Sequence, residues 1–194
     1  LAAFGWMTAS SDDLEADDLL GSLADGEAAA GGTALIMTGD RDMYQCAGDG
    51  VSVVYLKQGA SGFEEVDADE VRRRYGVGPD LVPDFIALRG DPSDGLPGAP
   101  GIGAKTATAL LQRHGSLDAA IAAADTERPR IAAALRDNAE ELRAFREIAT
   151  LRLPTMPRPD DGETNLQGGA EAARALGMNR LAERLEKATS LADL

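Results

Sequence analysis

Apolar and polar positions along the chain follow a pattern that predicts helices and a thin buried sheet. After two serines (10–11), either of which is a suitable helix N-cap, residues 12–32 carry apolar side chains near helical spacing and end at two glycines. Residues 33–38 form a continuous apolar run, too short for a helix and typical of a strand buried on both faces. Residues 51–56 predict a second strand and residues 63–66 a weaker third. This order indicates the α/β class.

The remainder of the chain has a helical pattern, with glycine or proline at the joins between segments. The predicted helical segments are 67–76, 79–90, 104–115, 116–124 and 128–151, followed by two short helices within 168–188. Residues 91–103 are rich in turn formers. Residues 151–165 read as a loop with one short strand at 151–153. The second half is therefore expected to be almost entirely helical.

Composition places the chain among folded proteins of a reducing compartment. It has 194 residues, of which 44% are hydrophobic and 27% charged, enough apolar side chains for a packed core. The one cysteine excludes a disulfide framework and a cysteine-based structural zinc site. No apolar run approaches the roughly 20 residues that span a bilayer. We expect a cytoplasmic, monomeric protein that does not enter the membrane.

The net charge of −14 argues at first against nucleic acid as a partner, because phosphate binding depends on Lys and Arg. The charge is uneven, however. Residues 1–70 contain 15 acidic and 2 basic residues, whereas residues 71–158 contain 11 acidic and 13 basic ones. The excess acid is therefore N-terminal, and the middle of the chain can face a polyanion.

Three acidic groups stand at predicted element ends. They are Glu15, Asp17 and Asp18 at a helix start, Asp40 and Asp42 after the first strand, and Asp91 and Asp94 in the turn-rich stretch. Ligands of open α/β sheets collect beyond the carboxyl ends of strands. Carboxylates that converge there repel one another unless a cation lies between them, and Mg²⁺ or Mn²⁺ prefers such oxygen ligands. The alternative is that each group is solvated surface or a turn cap, which is the commoner fate of a single acidic cluster.

A glycine-rich hairpin at 97–106 (PGAPGIGAKT) is a candidate phosphate-binding element. It is not a P-loop, because Ala104 separates Gly103 from Lys105, and it lacks the third glycine of a dinucleotide fingerprint, where Thr106 stands. A helix start with free N–H groups can bind a phosphate oxygen independently of base sequence, and Lys105 adds charge. The alternative is a structural helical hairpin without a ligand.

These segments together resemble the bacterial 5′-3′ exonuclease and flap endonuclease family, which includes the N-terminal nuclease domain of DNA polymerase I. The resemblance runs from about residue 4 to 155 through LEADDLLGSLA, TALIMTGDRDMYQ and YGVGPDLVPDFIALRGDPSDGLPGAPGIGAKTATALLQRHG. It implies a PIN-like (Rossmann-like) α/β core, here expected to be N-terminally incomplete, and a helix-three-turn-helix DNA-binding subdomain. The expected division is residues 1–78 for the partial core and residues 79–194 for the helical subdomain.

The resemblance also implies the activity and its residues. The expected reaction is hydrolysis of DNA phosphodiester bonds at 5′ ends or 5′ flaps in replication and repair, with two Mg²⁺ or Mn²⁺ ions. The implied metal ligands are Glu15, Asp17, Asp18, Asp40, Asp42, Asp91 and Asp94, of which Asp17, Asp18, Asp40 and Asp42 are the implied catalytic residues. The implied DNA-binding residues are Gly101, Ile102, Gly103, Lys105 and Thr106, at a hairpin where the family commonly binds K⁺.

Several departures from the family pattern leave two other functions open. The family's first strand with its catalytic aspartate and its basic helical arch have no counterpart in this sequence, and Gly95 stands where the family usually has Asn. A non-catalytic DNA-binding module would keep the hairpin without turnover. A PIN-type RNA nuclease shares the carboxylates but usually lacks the Gly-Ile-Gly hairpin.

Overall fold

The chain forms two compact units, seen in a computed structural model that describes residues 1–56 and 62–192. The larger unit comprises Leu14–Met156, and the smaller comprises Leu1–Asp13 together with Pro157–Leu194. The division after residue 78 inferred from the sequence stays a prediction. The strands are β1 (Ala34–Thr38), β2 (Val51–Leu56) and β3 (Phe63–Val66). The α-helices are α1 (Ala16–Ala29), α2 (Ala68–Tyr75), α3 (Val82–Arg89), α4 (Ala104–His114), α5 (Leu117–Ala122), α6 (Pro129–Asp137), α7 (Ala139–Ala149), α8 (Leu166–Ala175) and α9 (Asn179–Ala192).

The described sheet has three strands in the order β1-β2-β3, which confirms the α/β class. β1 pairs with β2 in parallel, with Ile36 opposite Val53, and β2 pairs with β3 antiparallel, with Val53 opposite Val66. These three side chains point to one face and are buried in a shared core. The parallel pairing places the carboxyl ends of β1 and β2 at the same edge of the sheet.

The expectation that β1 is buried on both faces is wrong. Leu35 and Met37 alternate with Ile36 and are 66% and 63% exposed. The reason is that the core packs on only one face of β1, the face that carries Ile36. The continuous apolar run at 33–38 therefore does not mean that both faces of the strand are covered.

Helix α1 begins later than the two serines suggested. Its N-cap is Glu15, whose side chain accepts from the backbone of Asp18, while Asp18 Oδ2 accepts from the Glu15 N–H at 3.2 Å. This reciprocal pair is a capping box built from two carboxylates. It starts the helix at Ala16 and leaves residues 10–14 outside it.

The helical half of the larger unit has its own core, which includes leucines from each of α3 to α7: Leu88, Leu110, Leu111, Leu117, Leu135 and Leu142. The predicted long helix at 128–151 is wrong in one respect, because α6 and α7 are separated at Asn138. The Asn138 side chain donates to the Ala134 carbonyl at 2.9 Å and so satisfies the end of α6. Residues 151–153, expected as a short strand, are irregular.

The smaller unit is built around α8 and α9, which confirms the two predicted C-terminal helices. Ala170, Ala173 and Ala182 form their buried contact. Phe4 stacks on Trp6 with ring centroids 4.6 Å apart, and Trp6 Nε1 donates to Thr164 at 3.1 Å. Among the described residues, no helix combines the length and apolar character that crossing a membrane requires.

Candidate metal centre and nucleic-acid interface

The first predicted carboxylate pair lies where the sequence placed it, just beyond the end of β1. The Asp40 N–H donates to Thr38 Oγ1 at 3.0 Å, and Asp40 Oδ1 accepts from the Asp42 N–H at 2.9 Å. This local turn opens the short 3-10 helix Asp42–Cys46, which is anchored by the fully buried Met43 and Tyr44. The core beneath therefore fixes the backbone that carries both carboxylates.

The pKa of the Asp42 carboxyl is strongly raised. Burial raises its pKa, and the charges of Asp40, Asp94 and Asp91 raise it further, to about 8. The carboxyl groups of Asp42 and Asp94 are close enough to share a hydrogen bond. The structure thus brings the end of β1 and the turn after α3 into one region, although 51 positions separate these residues in the sequence.

The first turn of α1 adds Asp17 to the same region. Burial raises the pKa of Asp17, and the neighbouring charges of Asp40, Glu15, Asp18 and Asp94 act in the same direction. Carboxylates from three separate segments therefore lie close enough to repel one another. Such a set favours either protonation or a bound cation.

Asp91 is positioned by a tight turn that two glycines permit. Gly90 and Gly98 both have positive φ, and a Cβ at Gly98 would lie 2.4 Å from the Gly90 backbone nitrogen. Asp91 accepts from the Ser93 N–H at 2.9 Å, from the Ser93 hydroxyl, and from Arg89 Nη2 at 3.2 Å. Burial alone would raise the pKa of Asp91, but these donors outweigh it, and the pKa is lowered.

Asp18 has a second, structural use. Its carboxylate is almost fully buried; Oδ1 accepts from the backbone N–H of Arg152 at 2.8 Å and Oδ2 from that of Glu15. These bonds tie the start of α1 to the segment after α7. Sequence reasoning predicted a metal ligand here and did not find the bond to residue 152, because it joins positions far apart in the chain.

All seven predicted carboxylates are in the larger unit, and their electrostatic coupling joins the three acidic groups. Across residues 1–56 and 62–192, however, no three Asp, Glu, His or Cys side chains converge in the arrangement that would hold a metal ion. The donor set consists of hard carboxylate oxygens, which suits Mg²⁺ or Mn²⁺. The assignment of these residues as metal ligands stays a prediction.

The glycine hairpin joins α3 to α4. Ile102 is buried in the helical core, and its N–H donates to the Ala99 carbonyl at 3.0 Å, so the hairpin is held from beneath. Gly103 caps α4 without a side chain, and its carbonyl accepts from the N–H groups of Thr106 and Ala107 at 3.0 Å. Lys105 is exposed in the first turn. The backbone at the start of α4 is therefore open on its outer side, as anion binding requires.

Sequence reasoning did not single out Arg130, which the structure places against this hairpin. A Cβ at Gly101 would lie 2.8 Å from Nη2 of Arg130, so this guanidinium packs directly against the glycine backbone. Arg130 belongs to the first turn of α6 and is exposed. The only sequence signal for it was the net positive charge of residues 71–158.

Two other charged features are occupied by contacts within the chain. His114 Nε2 lies 2.8 Å from Glu127 Oε1, and its side chain is only 10% exposed. The arginine run in α2 pairs with acids of α2 and β3: Arg72 with Asp69, Arg73 with Glu70, and Arg74 with Glu64 and Glu70. These residues stabilise the fold locally.

Comparison with protein families identifies both parts of the chain. Residues 1–76 match a family model described as the 5′-3′ exonuclease N-terminal resolvase-like domain, and residues 77–167 match the 5′-3′ exonuclease C-terminal SAM fold. The chain belongs to the 5′-3′ exonuclease family.

Named relatives agree with this membership. The chain is 37% identical to a 5′-3′ exonuclease of Mycobacterium tuberculosis (strain ATCC 25618 / H37Rv), with 97% of this chain and 64% of the relative aligned. It is 40% identical to DNA polymerase I of the same strain, over 82% of this chain and 18% of the relative. A 5′-3′ exonuclease of Streptomyces coelicolor is also 40% identical, over 82% and 54% of the two chains. The chain thus spans less than two thirds of each of these relatives.

Solved structures show the same fold. A T5 5′-exonuclease with bound zinc aligns with a TM-score of 0.66 and 16% identity, over 94% of this chain and 62% of that one. The catalytic core of Rad2 in complex with a DNA substrate aligns with a TM-score of 0.57 and 14% identity, over 95% and 66% of the two chains. These likenesses confirm the expected α/β nuclease-type core followed by a helical domain.

Proposed function

We propose that this chain is the part of a divalent-metal-dependent 5′ nuclease that carries most of the carboxylate centre and the duplex-binding hairpin. The carrying observation is the coupling of Asp17, Asp42 and Asp94, which brings three segments of a 5′-3′ exonuclease family chain to one place. The substrate class is DNA with a free 5′ end or a 5′ flap, and the setting is replication and repair.

The carboxylates fit a divalent cation by their chemistry. Burial and mutual repulsion hold Asp42 and Asp17 at raised pKa values, and a cation among them would remove that penalty. Asp17, Asp40, Asp42 and Asp94 would hold Mg²⁺ or Mn²⁺, with Asp91 and Glu15 beside them. Such ions, when bound, activate water and neutralise charge on the phosphodiester.

The remaining residues position the nucleic acid. The open N-terminus of α4, Lys105 and the backbone of Gly101 and Gly103 would bind phosphates of the downstream duplex without reading bases. Burial of Ile102 keeps this backbone rigid during binding. A K⁺ ion at the hairpin carbonyls belongs to the same proposal. The proposed chemistry is direct attack of water on the phosphodiester, without a covalent enzyme intermediate.

A second candidate function is duplex binding without cleavage. It is favoured by one observation, that no three described carboxylate, imidazole or thiol side chains converge in a metal-holding arrangement. In that case the hairpin would act alone, and the carboxylates would serve local structure, as Asp18 does at Arg152.

The test is cleavage of a labelled 5′-flap duplex over a Mg²⁺ titration. We expect cleavage that depends on Mg²⁺ and falls by at least about a hundredfold in Asp40→Asn/Asp42→Asn, because lost charge stabilisation of this kind costs several kcal/mol. The matched control is Asp125→Asn/Asp137→Asn, which changes the net charge equally on exposed positions of the helical half. An unimpaired Asp40→Asn/Asp42→Asn variant would overturn the site, and tight duplex binding without any cleavage would support the second candidate.

A further inference from the structure

A cavity of about 910 Å³ in the larger unit is lined on one side by Asp40 and Asp91 of the carboxylate centre, and most of its other lining residues have no role in the proposed function. Three arginines and three tyrosines line it: Arg41, Arg74, Arg89, Tyr44, Tyr55 and Tyr75. A wall of this composition suits a phosphate group attached to a planar or sugar moiety.

The three arginines differ in how they are neutralised. Arg74 pairs with Glu64 at 3.0 Å and with Glu70, and Arg89 pairs with Asp91 at 3.2 Å. Arg41 forms no ion pair with any residue in the described part of the chain. The guanidinium of Arg41 hydrogen-bonds the Tyr55 side chain, which raises the pKa of Arg41, and its remaining N–H donors stay available for an external anion.

Arg41 is also held in a defined orientation. Its guanidinium carbon lies 5.4 Å from the centroid of the Tyr55 ring. The ring and the hydrogen bond to the Tyr55 side chain hold the guanidinium in place, and the N–H groups not directed at Tyr55 can bind a phosphate oxygen. Because the side chain is already stacked, less conformational entropy is lost when a phosphate binds.

The cavity continues toward the hairpin. A second cavity of about 480 Å³ shares Arg74, Tyr75 and Arg89 with the first and extends to Ala104, Lys105 and Thr108 at the start of α4. Lys105, like Arg41, forms no ion pair within the described residues. The two cavities together form a trough. A cation without an ion pair to any described residue lies at each of its ends, Arg41 beside the carboxylates and Lys105 beside the hairpin.

In the proposed function a DNA strand runs between the carboxylate centre and the hairpin, and we propose that Arg41 binds the phosphate of that strand next to the scissile one. Arg74, Tyr75 and Arg89 form the wall along which the strand runs to Lys105. The inference rests on the proposed function, because it takes the carboxylates as the place of cleavage. Arg41 would thus position the substrate by binding a phosphate of its backbone.

The test measures binding of a 5′-flap duplex in EDTA, where no divalent ion is present, over a series of salt concentrations. For Arg41→Gln we expect affinity to fall about tenfold at low salt, since one charge-assisted hydrogen bond to a phosphate is lost. The slope of log K against log salt should drop by about 0.7–0.9, the value for one phosphate contact. Arg41→Lys should restore most of the slope, because the charge remains.

The matched control is Arg73→Gln, which removes the same charge from an arginine outside the cavity. A duplex with one neutral methylphosphonate linkage next to the cleavage position provides the direct contact test. Wild type should bind this duplex more weakly than the unmodified duplex, whereas Arg41→Gln should bind the two duplexes equally. Equal effects of Arg41→Gln and Arg73→Gln, or full additivity of Arg41→Gln with the neutral linkage, would overturn the inference. Failure of the wild type to bind would overturn it too, whereas lost cleavage alone would contradict only the proposed function.

Discussion

Gly90 and Gly98 lie backbone against backbone: a Cβ at Gly98 would stand 2.4 Å from the Gly90 nitrogen and 2.5 Å from the Arg89 carbonyl carbon. This approach closes the turn that carries Asp91, and the Leu96 N–H donates to the Asp91 carbonyl at 2.8 Å across it. The turn joins the carboxylate centre to the hairpin. Its geometry therefore depends on two positions that carry no chemistry of their own.

Substitution at Gly98 should destabilise the protein strongly. Gly98→Ala adds the backbone clash to the penalty of a left-handed conformation, since φ is +69°, and should cost about 2–4 kcal/mol. Gly95→Ala is the matched control: its φ is +70°, but nothing lies within 4 Å of its Cβ, so it should cost only about 1 kcal/mol. Urea denaturation measures both. Equal losses would show that the close approach contributes nothing.

Asp42→Asn should raise stability in the absence of metal. The raised pKa of Asp42, about 8, means that the folded state favours the protonated carboxyl. The corresponding stability is present below the unfolded pKa of about 3.9 and is lost as pH rises toward 8. The variant should therefore gain about 1 kcal/mol, or roughly 2–4 °C in Tm, at pH 8 in EDTA and little at pH 4.5. A gain in stability that does not grow with pH would contradict the raised pKa of Asp42.

Cys46 should resist alkylation in the folded protein. Burial, with the charges of Asp17 and Asp25, raises the pKa of its thiol to about 11. At pH 8 only about one thiol in a thousand is ionised, and the thiolate is the nucleophile. Stability linked to this group is complete below about pH 8.5 and is lost as pH rises through 11. Iodoacetamide labelling should be slow in buffer and fast in urea; equal rates would show an accessible, ordinary thiol.

Arg130→Gln should weaken duplex binding through the hairpin. The guanidinium lies over Gly101, where it can reach a phosphate bound at the start of α4. We expect affinity to fall about tenfold at low salt and the salt slope to drop by about one. Arg136→Gln, on the same helix but paired with Asp125, should change neither by more than about twofold. Fluorescence anisotropy of a labelled duplex distinguishes the two results, and indistinguishable variants would exclude Arg130 from the interface.

The sequence was sufficient where local rules decide the outcome. β1 and β2 were predicted within a residue, because short apolar runs between glycines report strands. The positions of Asp40 and Asp42 followed from the end of β1. The turn-rich stretch also drew attention to Asp91, Asp94 and the hairpin, but only the family resemblance assigned them to one site with β1, since no local pattern connects them.

The sequence was insufficient where long-range contacts decide. Two such contacts are the hydrogen bond from the Arg152 N–H to Asp18 and the stacking of Arg41 on Tyr55. Both join distant positions, so no local sequence pattern predicts them. The division between α6 and α7 depends on a single Asn138 side chain, without the glycine or proline that usually marks a helix end. The exposure of Leu35 depends on which face of the sheet the core covers, and the apolar run of β1 does not show that.

The central claim is that the carboxylate centre and the hairpin act together on 5′ ends. The most direct measurement compares Mg²⁺-dependent cleavage of two duplexes that share one sequence, one with a 5′ flap and one with a 3′ flap. The account predicts cuts near the junction of the 5′ flap, abolished by EDTA, and no comparable cutting of the 3′ flap. Equal cleavage of both flaps, or cleavage that persists in EDTA, would contradict it.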